Sequence, residues 1–377
     1  MDLLSFSDLI VAVEQPPRPT ALPPVLLLPG LNAGAWVFEN YQRFLLRQGY
    51  TTYALNFRGH YGSRPVPDIG RVPFAAYVED ALEVARAIAS EHTTAVPVGP
   101  PPVADAEQPS ALPVVIGHSL GGLVAQRLAE EQVVRAAALV CSAPPRGIPL
   151  MSWELVRRQP RYLPTILSGR PLLPRFADNA AVALNRVAAD RRAAVQSRFV
   201  ADSGRAARDV LFGIQVDERK VRCPMLVVSA SEDRYVPPRI ARRIARRYKA
   251  PFREYFGHGH MMPIEPGWET PLREIEHWMD QTLVLGRHTT PGSIRLHELA
   301  RHRGHTVRLS FRDGHVIVAK VISVDFEEPA EIIYEVHAVV EVGPPHLAAV
   351  RPGRVAAAPL EQLRDFLVVG AGGEALE

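Results

Sequence analysis

Along the first 286 residues, short and mostly apolar runs, of which Val25–Leu28 is wholly apolar, alternate with longer stretches whose apolar positions recur every three to four residues. The short runs cover Leu9–Glu14, Val25–Leu28, 51–56, 112–117, 136–142, 224–230 and 251–256. Runs of this length, apolar on both sides of the pleat, read as strands buried on both faces, which is the mark of a parallel sheet. The helical pattern covers 38–48, with Tyr41, Phe44 and Leu45 on one face and Gly49 as the stop, and 74–92, with Tyr77, Leu82, Ala85 and Ile88 inward. It returns after residue 119, at 239–248, and in a last segment carrying Leu272, Ile275, Trp278 and Met279 that closes near Gly286. Strand and helix in alternation predict an α/β domain, a mostly parallel sheet flanked by helices and joined by right-handed crossovers, with Leu9–Glu14 at an edge.

The alternation breaks in three places. Residues 93–110 hold Pro-Val-Gly-Pro-Pro-Pro without periodicity and read as a mobile surface insertion. Residues 144–214 are helical and proline-punctuated, with no strand, and follow a central strand. Such an insertion overlies the C-terminal edge of the sheet, where α/β proteins bind ligands. Beyond a Thr-Thr-Pro-Gly linker at 289–292, a short helix is expected at 293–302. Alternating strands follow at 306–311, 315–324 and 331–342, with turns at 312–315 and 326–330, and a partly disordered tail after Gly353. The domain boundaries are accordingly 1–288 and 289–377, the second unit being small and all-β.

The chemistry is concentrated at Gly117-His-Ser-Leu-Gly121, a serine at the apex of a strand, turn and helix. A serine presented this way has a strained backbone, and side chains at either flank would collide, so both flanking positions are glycine. By composition alone the string should arise about 0.1 times in a chain this long. A serine nucleophile needs a base to take its proton and a carboxylate to orient that base. Downstream strands end in Glu232-Asp233 and in Gly257-His-Gly-His260, which leaves two candidate acids and two candidate bases in the order serine, acid, histidine. A His-x-His metal site is the competing reading of the second pair, unsupported by any nearby cysteine or repeated ligand spacing.

Four stretches resemble the α/β-hydrolase superfamily in its capped esterase and lipase branch: Pro-Gly-Leu-Asn-Ala at 29–33, Asn-Phe-Arg-Gly-His-Tyr-Gly-Ser at 56–63, Gly-His-Ser-Leu-Gly-Gly at 117–122, and the pair Ser-Glu-Asp-Arg-Tyr-Val-Pro with Gly-His-Met-Met-Pro-Ile-Glu-Pro at 259–266. The resemblance covers about residues 20–286. It implies an α/β-hydrolase fold with a helical cap at 144–214, a triad of Ser119, Asp233 and His260, and an oxyanion hole from the backbone amides of Leu31 and Leu120. Pro29-Gly30 stands where the family commonly has His-Gly, and Asn56 where it usually has aspartate; neither change touches the triad. His118 and His60 are read as packing and turn residues. The implied activity is hydrolysis of a carboxylic ester through an acyl-enzyme. Thioester hydrolysis or acyl transfer by the same triad, and a non-catalytic binding protein on a hydrolase scaffold, are the alternatives. No metal and no organic cofactor is required.

Charge refines this picture. The formal net charge of the chain is only +3, yet 145–214 carries 12 arginines against 5 acidic residues. That excess reads either as a solvated surface or as attraction of anionic substrates or a lipid surface. The C-terminal strands resemble small SH3-like or Sm-like barrels. Some of these bind RNA, but 289–377 holds 8 arginines and one lysine against 12 acidic residues, which disfavours phosphate neutralisation and favours a docking or oligomerisation module. No apolar run approaches a membrane span, and the N-terminus is acidic where a secretory signal is basic. Cys141 and Cys223 fall at opposite ends of neighbouring strands, roughly 15 Å apart and too far to bridge. Reduced thiols fit a soluble, cytoplasmic protein.

Overall fold

The computed structural model describes residues 2–17, 20, 22–94, 111–150, 152–284, 306–311, 316–325, 331–341, 355–359 and 363–368. Two compact units result, Met1–Thr282 and Leu283–Glu377. The insertion expected at 93–110, the helix at 293–302 and the turns at 312–315 and 326–330 lie largely or wholly outside the described residues.

The first unit is built on an eight-stranded sheet. Its strands are β1 (Asp2–Phe6), β2 (Leu9–Glu14), β3 (Val25–Leu28), β4 (Thr52–Leu55), β5 (Val114–His118), β6 (Ala136–Val140), β9 (Met225–Ala230) and β10 (Phe252–Tyr255), in the spatial order β1-β2-β4-β3-β5-β6-β9-β10. From β4 to β10 every neighbouring pair is parallel, and β1 and β2 are antiparallel additions. The helices α1 (Glu39–Arg47), α2 (Phe74–Thr94), α3 (Leu120–Glu130), α9 (Pro238–Tyr248) and α10 (Glu269–Val284) alternate with these strands. Every residue of β3 is buried, and full burial of each Val or Leu side chain is worth about 1.5–3 kcal/mol. Leu9–Glu14 is not the edge, because β1 covers it through a two-residue hairpin with Ser7 and Asp8 both at positive φ (47° and 69°). β1 escapes sequence reading because it is almost wholly exposed and so carries no alternation.

Strand order places the site. After β3 the chain moves to β4 on one side, then crosses through α2 to β5 on the other, so the loops after β3 and β5 part at a topological switch point where α/β sheets bind ligands. Between β6 and β9 it leaves the sheet for α4 (Trp153–Arg158), α5 (Leu163–Ser168), β7 (Pro171–Leu172), α6 (Phe176–Val182), α7 (Arg192–Gln196), β8 (Asp202–Ser203) and α8 (Gly204–Phe212). The sequence led us to expect helices without strands here. The structure adds the β7–β8 ladder, Pro171 opposite Ser203 and Leu172 opposite Asp202, too short to leave a periodic signal. Both cysteines are free thiols. Among the described residues no helix is long and apolar enough to cross a membrane.

The second unit is a five-stranded antiparallel sheet of β11 (Thr306–Phe311), β12 (Val316–Asp325), β13 (Glu331–Glu341), β14 (Val355–Pro359) and β15 (Leu363–Val368), ordered β14-β13-β12-β11-β15. Val307 and Leu309, Ile317, Ala319 and Val321, and Ile332, Tyr334 and Val336 are buried at every second position, as the alternation predicts. Within the tail read as partly disordered, Val355–Pro359 and Leu363–Val368 are strands, and its remaining residues lie outside the described ones. Val-Ala-Ala-Ala-Pro has no apolar and polar contrast, and its pairing with residues 331–335 is a long-range contact.

Candidate active site

Ser119 stands between β5 and α3 with φ 54° and ψ −117°, a conformation costly for a residue with a side chain. The turn is held by Ser119 N–H donating to Val140 O (3.0 Å), and by Ser119 O accepting from the amides of Gly122 (3.0 Å) and Ala143 (2.9 Å). The flanking glycines are steric necessities. A Cβ on Gly117 would sit 2.3 Å from Gly121 O, and one on Gly121 only 2.1 Å from Leu28 O.

Two loops from other strands converge on this hydroxyl. His260, in the loop after β10, places Nε2 3.0 Å from Ser119 Oγ, and its Nδ1 lies 3.0 and 2.9 Å from the two carboxylate oxygens of Asp233, in the loop after β9. Asp233 and His260 are both buried. Asp233 Oδ1 also accepts from the amides of Tyr235 and Val236 at 2.8 Å each, which fixes the carboxylate as acceptor and leaves the imidazole to donate through Nδ1. Of the candidate acids, Glu232 instead faces Arg186 at 3.6 Å. Of the candidate bases, His258 places Nδ1 3.3 Å from Glu265.

Three neighbours that sequence reading left without a role at the site support it. Glu265 is buried and accepts from the amides of Gly259 (2.7 Å) and Met261 (3.0 Å), bracketing His260. Only its place in the Ile-Glu-Pro stretch signalled it. His118 Nε2 lies 2.7 Å from His260 O and, facing a carbonyl, must donate. Burial, then the adjacent His260, push the pKa of His118 down to about 3, so it is a neutral packing group. Tyr235 lies against the His260 ring, centroids 4.9 Å apart. Cys141, Asp233 and His260 have ligand-type atoms within 4.8 Å of one another. Burial, then the nearby Asp233 and Glu265 charges, raise the Cys141 thiol well above its ordinary pKa. His260 spends one ring nitrogen on Asp233 and the other on Ser119, so these groups are arranged as a hydrogen-bonded triad.

The loop after β3 crosses over the serine, and a Cβ on Gly30 would come within 2.9 Å of Ser119 Cβ. Ala33 N–H closes a turn on Gly30 O at 3.3 Å, with Asn32 at its left-handed corner (φ 66°). Leu31 thus occupies the turn beside the nucleophile, and Leu120 is the first residue of α3, where amides lack an intrahelical acceptor. Above them lies a cavity of about 170 Å³ whose lining includes Leu31, Ile166, Leu172, Val182, Phe199, Val210 and Leu211, reaching Ser119 and His260 at its floor. Its one arginine, Arg158, pairs with Asp178 (3.0 Å) and Glu154 (3.2 Å), and Tyr162 donates to the same Asp178 at 2.6 Å.

The sequence matches the family described as Alpha/beta hydrolase family over residues 25–278. A search of the curated proteins finds no match. Among solved structures, the chain is similar to a thermophilic esterase from Thermogutta terrifontis, at 17% identity over 74% of this chain and 98% of that one, with a TM-score of 0.52. It is similar also to the enol-lactonase from Burkholderia xenovorans LB400, at 17% identity over 74% and 99% of the two chains, TM-score 0.52. A bacterial membrane phospholipase A matches at 19% identity over 74% and 86%, TM-score 0.53. At these identities the likeness is one of fold.

Proposed function

Since the chain belongs to the alpha/beta hydrolase family, we propose that it is a serine hydrolase that cleaves carboxylic esters, with Ser119 as nucleophile, His260 as base and Asp233 as the acid of a triad. The observation that carries this reading is the unbroken line from Ser119 Oγ to His260 Nε2 (3.0 Å) and from His260 Nδ1 to Asp233 (2.9 Å) beneath an apolar cavity. Oγ attacks the ester carbonyl as its proton passes to Nε2, and the new imidazolium is stabilised by Asp233. The oxyanion is held by the Leu31 and Leu120 N–H groups. Collapse expels the alcohol, which takes the proton from Nε2. Water then attacks the acyl-enzyme, gives its proton to Nε2, and the acid leaves as Ser119 regains its hydrogen.

The apolar lining supports an uncharged acyl group, since the cavity's arginine is neutralised by two carboxylates. Residues 144–214 act as a cap over the site. Exposed Trp153, Leu167, Phe176 and Phe212 on these helices (73%, 50%, 48% and 70% exposed), interspersed with arginines, support an amphiphilic, lipid-like ester. For the C-terminal sheet we propose an SH3-like module for docking or self-association in the cytosol, its net charge of −3 over 289–377 counting against nucleic acid. A fluorophosphonate should label the wild type and not Ser119→Ala, and absence of labelling in folded wild type overturns the hydrolase reading. With p-nitrophenyl esters the rate should rise from acetyl to about octanoyl. Reaction of short chains alone would remove the lipid-like substrate.

A further inference from the structure

Asp202 is the least expected charge in the first unit. It sits on β8, 2% exposed, and every carboxylate lone pair has company. Oδ2 accepts from the backbone amide of Asn32 at 2.7 Å and lies 3.2 Å from His60 Nε2. Oδ1 accepts from Tyr77 Oη at 2.5 Å and from its neighbour's amide, Ser203 N, at 2.6 Å. His60, equally buried, has its other ring nitrogen 2.9 Å from Arg58 O. One ring nitrogen of His60 faces a carbonyl, and the other lies 3.2 Å from the carboxylate at ion-pair distance without a hydrogen bond to it, an arrangement that favours the cation on His60 and the anion on Asp202. The proposed mechanism uses neither.

What this pair grips is the turn that carries the oxyanion donor. Asn32 follows Leu31 directly. Its N–H goes to Asp202, its side-chain amide donates to Leu172 O (2.7 Å) and Val200 O (2.9 Å), and its carbonyl accepts from Val200 N (3.0 Å). Every one of these partners belongs to the 144–214 segment. The left-handed corner at Asn32, itself costly for a non-glycine residue, is therefore set from above, by the segment that roofs the cavity.

We propose that Asp202, charged by His60, and Asn32 form a latch through which the cap positions the Leu31 amide in the oxyanion hole; this rests on the hydrolase reading above. Asp202 and Asn32 are positioning residues, touching the turn and not the substrate. Oxyanion donors act only when preorganised, and a misplacement of about 1 Å can cost about 100-fold in rate. The latch thus makes a closed cap and a formed oxyanion hole one event.

The test is Asp202→Asn in the full chain. In one orientation its NH₂ meets the Asn32 N–H and in the other the Ser203 N–H, so each orientation leaves one backbone amide without its acceptor and both remove the charge facing His60. On a p-nitrophenyl ester, kcat should fall about 10- to 100-fold with KM within about twofold. Affinity for a trifluoromethyl ketone, which forms a tetrahedral oxyanion, should fall in proportion, while affinity for the product acid stays unchanged. A merely structural role would lower the amount of folded enzyme and leave those ratios alone. Asn32→Gly, which keeps the left-handed corner and loses the two side-chain bonds, decides the matter where Asp202→Asn does not fold, with an expected fall in kcat of about 3- to 10-fold and the same selective loss of ketone affinity. Wild-type kcat in the folded variant used, or equal losses for ketone and acid, overturns the latch. Failure of the wild type to react with fluorophosphonate overturns the hydrolase reading and the latch with it.

Discussion

Asp233–His260 and Asp202–His60 are both buried aspartate–histidine pairs, at 2.9 and 3.2 Å, each with its carboxylate further held by backbone amides. They differ in what the imidazole's far nitrogen meets. For His260 it is the Ser119 hydroxyl, which can both give and take a proton. For His60 it is the Arg58 carbonyl, which can only accept. On the proposed reading the first ring shuttles a proton, while the second, with a carboxylate at 3.2 Å on one side and a carbonyl on the other, is favoured as a cation beside the loop it supports. Residue type and burial alone do not make a general base. The chemistry of the third group does.

Substitutions break this comparison in graded steps. Ser119→Ala or His260→Ala should lower kcat by about 10⁴ or more, read from p-nitrophenyl ester turnover, because the triad acts as a unit. Asp233→Asn, which leaves an acceptor but spoils the imidazole tautomer, should cost about 10³–10⁴ in kcat with little loss of stability. The second pair should show the reverse pattern. Asp202→Asn, breaking a buried pair, should cost about 3–5 kcal/mol in urea unfolding and the smaller kcat loss given above.

That stability term has a defined pH window. Burial alone would lower the pKa of His60, but Asp202 and the Arg58 carbonyl raise it overall. Burial alone would raise that of Asp202, but His60, Tyr77 and the Asn32 amide lower it overall. The raised imidazole contributes fully below its ordinary 6.5 and is lost as pH climbs through its folded value. The lowered carboxylate contributes fully above its ordinary 3.8 and is lost as pH falls through its own. The wild type's stability advantage over the His60→Asn/Asp202→Asn double variant should therefore be flat between about 3.8 and 6.5 and shrink on either side. An advantage that instead grows above pH 7 would show that His60 is neutral.

Two smaller effects sharpen the picture of the catalytic pair. Glu265→Gln loses one of the two amide acceptors around His260 and should lower kcat about tenfold in the same assay. His258→Gln should leave kcat within about threefold, since that ring reaches Glu265 and not Ser119. A loss comparable to His260→Ala would reassign the base.

Local pattern carried much of this. Four-residue apolar runs such as Val25–Leu28 mark buried parallel strands, and the glycines at 117 and 121 mark a turn that admits no other side chain, because both signals are written within a few residues of the feature they specify. Choosing His260 over His258 already required a likeness to other chains, since two histidines two residues apart carry the same local signal. The latch was beyond reach. Asn32 and Asp202 are separated by 170 residues, and an aspartate among the arginines of 144–214 looks like any solvated acid. Local pattern was enough for the central parallel strands, the elbow and the order of the proposed catalytic groups. Which carboxylate meets which imidazole emerged from the fold alone, because hydrogen bonds act over about 3 Å and positions far apart in the chain reach that distance only once it has folded.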